Sequence, residues 1–234
     1  MTAHRVEVLT FDGCPHVSGA LRVTREIAAR LVPGSEVEDI RVENDEHARR
    51  LGFLGSPSIR VDGEDIEGRT SGPCGLSCRV YRSPGGSPPA WMIEAALLRA
   101  IRPGHFLFLC VANSARSQMA EGIARSLAPS DVRVSSSGSS ATRVREEAVK
   151  VLREIGIDIS SQSSKGLGDI DADSVDAVVT LCAEEVCPAF LGPATRVHWG
   201  LPDPAAVQSG EQDRLTAFRS VRDELRLRLG LLFR

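Results

Sequence analysis

Short apolar runs alternate with amphipathic helical stretches along this 234-residue chain, and the series starts afresh after a helix-breaking Arg-Pro-Gly-His at 102–105. The first series opens with the strand pattern "RVEVLTF" (5–11), the helical "SGALRVTREIAARL" and a second strand, "EVEDIRV". A polar helix, "NDEHARRLG", leads to "SPSIRVDGEDIEG", which reads as two short strands around the turn former Asp62-Gly63. After a Gly-, Pro- and Ser-rich stretch (68–89), "PPAWMIEAALLRAI" begins on prolines suited to a first helical turn. The second series runs from the strand "HFLFLCV" through the helix "SQMAEGIARSLA", the strand "DVRVSSSG" and the amphipathic helix "RVREEAVKVLREIG". The strands "SVDAVVTLC" and "TRVHWGL" follow, and "EQDRLTAFRSVRDELRLRLGLLF" closes as a long helix. Two α/β domains are expected, 1–102 and 103–234. The second should hold a mainly parallel sheet with helices on its faces. Ligands of such sheets gather beyond the carboxyl ends of the strands, where Cys110 and Cys182 both stand.

Composition narrows the function classes. A net charge of −3 gives no reason to expect a nucleic-acid groove or a membrane-surface patch. No apolar run approaches the ~20 residues that span a bilayer. "MTAHRVEVLTF" turns polar after one strand-like run, unlike a signal peptide, so a cytoplasmic protein is expected. In that reducing setting the six cysteines are read as free, catalytic or metal-bound rather than as a structural disulfide set. "CGLSC" and "CAEEVC" lack the C-x-x-C spacing of zinc sites, and neither a metal nor a cofactor is expected.

The loop after the strand at 105–111 carries the chemistry. Val111, Ala112, Asn113, Ser114 and Ala115 lead from Cys110 to Arg116 and Ser117, with no bulky side chain after Val111. Backbone N–H groups of such a loop converge, and the helix that follows adds favourable potential for an anion. Arg116 supplies a planar donor fork suited to a tetrahedral oxyanion. The same surroundings favour the thiolate form of a cysteine, so the anion cradle and a nucleophile, Cys110, form one unit. Ser117 is spaced to hold that thiolate with its hydroxyl, and Asn113 and Ser117 together order the loop.

"CVANSARSQMAEG" resembles the phosphate-binding loop of the low-molecular-weight protein tyrosine phosphatase superfamily. Within it the run is most similar to thioredoxin-coupled arsenate reductases. The likeness continues through "SSSG", "AVKVLREIGIDISSQSSK", "VVTLC" and "HWGLPDPA". Ala112 stands where a glycine is common and Ala115 where a cysteine is often seen. The resemblance implies arsenate in the loop, with phosphate or sulfate as analogue, and Asp203 as the acid that protonates the leaving oxygen. It also implies a thiol relay. Cys110 forms the arsenate adduct, Cys182 attacks Cys110 to release arsenite, and Cys187 attacks Cys182 to hand on a disulfide. Thiols are the available source of the two electrons needed. A thioredoxin or glutaredoxin/glutathione system would regenerate the enzyme. The alternatives are a tyrosine phosphatase, which needs no second thiol, and a non-enzymatic redox sensor or oxyanion-binding adaptor. The family's alkali-cation site has no clear echo, since Lys165 falls where some members carry an acidic ligand.

In the first hundred residues "FDGCPH" and "GSPSI" resemble a thioredoxin-like fold, with a redox cysteine (Cys14) before the first helix and a proline, Pro57, expected to be cis against it. Val17 occupies the place of the second cysteine of C-x-x-C. Three roles stay open for Cys14: mixed disulfides with glutathione or a partner, resolution by Cys74 or Cys78, or a redox-silent domain that docks a partner. Its fusion to a reductase also raises the expectation that Cys14 attacks the Cys182–Cys187 disulfide.

Overall fold

All five residues of Val6–Thr10 (β1) are buried, as a run flanked by strands on both sides requires. The computed structural model describes residues 3–81, 87–183 and 192–234. The chain divides into two compact units, Met1–Arg102 and Pro103–Arg234.

In the first unit β1 pairs in parallel with Val37–Arg41 (β2) and antiparallel with Ser58–Val61 (β3), which in turn pairs with Glu64–Asp65 (β4). The sheet order is β2-β1-β3-β4. The β1–β2 crossover carries Val17–Leu31 (α1), whose buried residues Ala20, Leu21, Thr24, Ile27, Ala28 and Leu31 recur at helical spacing. Asp62 and Gly63 both take positive φ (51° and 83°), the backbone of the tight hairpin that an Asp-Gly pair favours. Asp45–Leu51 (α2) starts on Asn44, whose Oδ1 accepts from the His47 N–H at 2.8 Å, and places Asp45 and Glu46 in its first turn. Ala90–Ile101 (α3) packs on α1 and on β3, and its buried Glu94 is paired with Arg30 of α1. The Ser56–Pro57 peptide is cis.

The second unit holds four parallel strands: His105–Cys110 (β5), Arg133–Gly138 (β6), Ala177–Cys182 (β7) and Thr195–Leu201 (β8). Their order is β6-β5-β7-β8, so β5 is interior and buried throughout. Arg116–Leu127 (α4), Glu146–Arg153 (α5) and Glu211–Leu232 (α6) pack on one another, and Phe233 meets Phe106 edge to face at 5.1 Å. Strand alternation turns Leu107 and Leu109 the other way, into a cluster with Val175 and Val178 covered by Leu167, Ile170 and Ala172 from two short 3₁₀ turns. The helix expected at 143–156 is shorter, because Arg145 is extended (ψ 136°) and Gly156 adopts a φ of 80°. No helix among the described residues is long and apolar enough to cross a membrane.

Candidate active site

Cys110 is the last residue of β5, and Arg116 is the first of α4. The five residues between them lie against the carboxyl edge of the sheet, the position that strand order and helix polarity favour for an anion. Cys110, Val111, Ala112, Ser114, Ala115, Arg116 and Asp203 line one cavity of about 140 Å³. Cys110 and Arg116 are almost wholly buried within it. Arg116 Nη1 donates to the Leu201 carbonyl at 3.0 Å, and its Nη2 stands 3.7 Å from Asp203 Oδ1. Asp203 caps the 3₁₀ turn Pro204–Ala206 by accepting from the Ala205 N–H at 3.2 Å, so its carboxylate is held at the cavity mouth and about one-third exposed.

Asn113 organises the loop. Its φ of 45° is the left-handed conformation that asparagine tolerates better than most residues. Its side chain, fully buried, uses all four of its hydrogen-bonding capacities. Nδ2 donates to Ser117 Oγ at 2.9 Å and to Ser136 Oγ at 2.8 Å. Oδ1 accepts from Gln118 Nε2 at 2.8 Å and from the Lys165 backbone N–H at 2.7 Å. Because Ser117 Oγ receives Asn113's proton, its own hydroxyl proton is available to the Cys110 sulfur 2.9 Å away. The chain of donors has a fixed origin. Ser136 Oγ donates to the buried Glu121 carboxylate, which Lys165 (3.2 Å) and Arg125 neutralise. The carboxylate thus orients the Ser136 hydroxyl, while the Asn113 amide, which can only donate through Nδ2, orients the Ser117 hydroxyl toward the sulfur.

The loop's backbone is pinned from outside. Ser140, Thr142 and Arg145 donate their N–H groups to the carbonyls of Val111, Ala112 and Ser114. Ser164 Oγ donates to the Asn113 carbonyl at 2.6 Å. Gly138, at the end of β6, admits the loop by having no side chain: a Cβ there would lie 2.4 Å from the Val111 carbonyl oxygen. These bonds occupy the loop's carbonyls with neighbouring segments, which suits a loop whose amides are to be kept for an anion.

Cys182 ends β7, the strand beside β5, with Leu109 paired to Thr180, and it is buried. It is also in register with Leu201, whose carbonyl holds Arg116. Cys187 lies outside the described residues. Cys14, Cys74 and Cys78 belong to the first unit. Lys165, read in the sequence only as a missing acidic ligand, is a structural part of the site through both its ammonium and its backbone N–H. Gln118, Glu121, Ser136, Gly138 and Ser164 were not singled out from the sequence; the first four lie in the quoted runs "SQMAEG" and "SSSG", and Ser164 in "AVKVLREIGIDISSQSSK". Among the described residues no group of three or more His, Cys, Asp or Glu side chains is placed to hold a metal ion.

A cysteine at a strand end, an arginine opening the next helix and a carboxylate line one small cavity at the carboxyl edge of a parallel α/β sheet, a candidate thiol-based oxyanion site. The low molecular weight phosphotyrosine protein phosphatase family matches residues 105–234, and the chain belongs to that family. The arsenate reductase of Halalkalibacterium halodurans is 44% identical over 124 residues, covering 52% of this chain and 89% of that protein. That of Bacillus subtilis is 43% identical over 124 residues, with the same coverage of 52% and 89%. Among solved structures, an arsenate reductase in the phosphate binding state is 35% identical with a TM-score of 0.47, covering 55% of this chain and 95% of that one. An arsenate reductase from Archaeoglobus fulgidus is 25% identical with a TM-score of 0.46, covering 53% and 98%.

Proposed function

We propose that the second unit reduces arsenate to arsenite through a cysteine relay. The observation that carries this reading is the Cys110–Ser117–Asn113 arrangement beside Arg116, with a second buried cysteine, Cys182, closing the adjacent strand. The arsenate reductases of Bacillus subtilis and Halalkalibacterium halodurans, at over 40% identity, support it. Arsenate enters the loop, its oxygens facing the amides and Arg116. The Cys110 thiolate attacks arsenic, an As–S bond forms, and an oxygen leaves as water with the proton of Asp203. Cys182 then attacks the Cys110 sulfur. The S–S bond forms as the As–S pair returns to arsenic, reducing As(V) to As(III), and arsenite departs. Cys187 attacks Cys182, freeing Cys110 and leaving a Cys182–Cys187 disulfide for an external dithiol. A thioredoxin or glutaredoxin/glutathione system in the cytoplasm fits that last step.

The first unit is read as a thioredoxin-like domain. The β2-β1-β3-β4 order and the placing of Cys14 against the Ser56-Pro57 peptide support that reading.

The second activity weighed is hydrolysis of phosphotyrosine, favoured by the family match alone. Arsenate-dependent NADPH oxidation, coupled through thioredoxin and its reductase, separates the two. Cys110→Ser should abolish both arsenite production and p-nitrophenyl phosphate hydrolysis. Cys182→Ser and Cys187→Ser should abolish only continuous arsenite production. Undiminished arsenite turnover in Cys182→Ser sinks the relay.

A further inference from the structure

Val17, half-buried at the start of α1, leaves Cys14 without a thiol partner in its own turn, yet a partner comes from a distant segment. Cys14 is buried and its S–H donates to the Ser56 carbonyl at 3.5 Å. That same carbonyl accepts the Arg79 N–H at 2.9 Å, and the Ser56 N–H donates to the Ser77 carbonyl at 2.8 Å. Residues 77–79 therefore form a bridge on Ser56, with Cys78 as its paired residue. Cys78 therefore stands on the same Ser56 that receives the Cys14 thiol, and partial desolvation together with the nearby Cys14 pushes the Cys78 thiol above its ordinary range.

The arrangement is anchored by groups that have no other evident task. Arg79 is buried and grips Asp65 (2.5 and 2.8 Å), Glu67 (2.7 Å) and Ser58 Oγ (3.1 Å). Its guanidinium also lies 4.7 Å from the Tyr81 ring centroid, and Tyr81 Oη donates to the Pro57 carbonyl at 3.0 Å. A buried cation held by two carboxylates fixes the main chain on either side of Cys78. Alternation along the segment then buries Arg79 and Tyr81 while leaving Cys78 exposed. One sulfur is accessible, the other is sheltered, and both residues are tied to Ser56.

We propose that Cys14 and Cys78 are a dithiol–disulfide couple, assembled from two distant segments, that exchanges with an external disulfide of a small molecule or a partner peptide. The exposed Cys78 sulfur attacks that disulfide. A Cys78–S–S–R bond forms, the external S–S bond breaks, and RS⁻ leaves and takes up the proton that Cys78 loses. Cys14 then attacks the Cys78 sulfur, the Cys14–Cys78 bond closes, and the second RS⁻ leaves and takes up the proton of Cys14. Two protein thiols are oxidised and one disulfide is reduced to two thiols. Two cysteines held on one residue, Ser56, need only a local approach of their side chains to close a bond of about 2.0 Å. Cys74 is the competing resolver. Its Sγ is turned to the Gly72 carbonyl at 3.7 Å, and the proposal assigns it no part.

Oxidised glutathione is the probe. The full-length chain, with Cys110, Cys182 and Cys187 each replaced by serine, is titrated with it, alkylated, digested and mapped by mass spectrometry, alongside the unsubstituted chain. The expected product is a peptide pair joined through Cys14 and Cys78, with two thiols lost together and Cys74 alkylated. Cys74→Ser should leave that product unchanged, and Cys14→Ser should stop at a glutathione adduct on Cys78. A Cys14–Cys74 linkage in the unsubstituted chain overturns the proposal, as do separate adducts with no internal bridge. Because the relay cysteines are removed, this outcome is independent of whether the second unit reduces arsenate.

Discussion

Replacing Asn113 tests the site's architecture most directly, because two separable features are lost at one position. Alanine leaves the Lys165 N–H without its 2.7 Å acceptor and takes the donor away from Ser117 and Ser136. An orphaned buried polar group costs about 1–3 kcal/mol. A Cβ residue without a compensating side chain at a φ of 45° adds about 1–2 kcal/mol. Asn113→Ala should therefore destabilise the second unit by about 4 kcal/mol. Asn113→Gly, which has no objection to positive φ, should cost about 1 kcal/mol less. Urea unfolding followed by tryptophan fluorescence reads this, since Trp199 is buried in the second unit and a Trp91→Phe background removes the other tryptophan. Phosphate binding, measured by calorimetry, should weaken in both variants because the amides lose their alignment. The reasoning fails if both variants unfold within about 0.5 kcal/mol of the parent, a shift typical of a surface change, or if alanine and glycine are indistinguishable.

Two further outcomes follow from the same packing. Gly138→Ala would place a Cβ 2.4, 2.8 and 2.9 Å from backbone atoms of Val111, Asn113 and Cys110, none of which is a flexible side-chain tip. The loop must shift, so a loss of about 1–3 kcal/mol in stability and a KM for arsenate raised about tenfold or more are expected; unchanged kinetics would contradict the close approach. His105, with Nδ1 on the Ser174 carbonyl at 2.9 Å and Nε2 on Ser135 Oγ at 2.7 Å, is held below its ordinary imidazole value by burial. The unfolded chain then takes up a proton first as pH falls, so this group's stabilisation is full above its unfolded pKa and declines below about 6.5. The urea midpoint should drop between about pH 7.5 and about pH 5.5, and His105→Asn should show a shallower drop; an equal slope removes His105 as the cause.

Local sequence was enough for most of the elements and for the strand, loop and helix that carry Cys110, Arg116 and Ser117. "HFLFLC" is apolar at every position but its first and last, which specifies a strand covered on both faces, and the small residues of "VANSA" specify a loop whose amides an anion can approach. Cys110, Arg116 and Ser117 fall within eight residues of one another, so strand, loop and helix geometry bring them together without help from the rest of the chain. Asp203 was legible only through resemblance, because an Asp-Pro pair by itself specifies no more than a turn.

What tertiary structure decided are the contacts across long sequence separations. Asn113 meets Ser136 and Lys165, and Gly138 clears the way for Val111, because parallel pairing of β5 with β6 sets their carboxyl ends side by side. Cys78 comes to share Ser56 with Cys14 because the backbone of the buried Arg79 ties its segment to the Ser56 peptide. The physical reason is range. Hydrophobic periodicity and turn chemistry act over a few neighbours and are written in the local sequence. Hydrogen-bond partners and thiol neighbours are chosen by sheet order and by burial, which exist only once distant strands have paired.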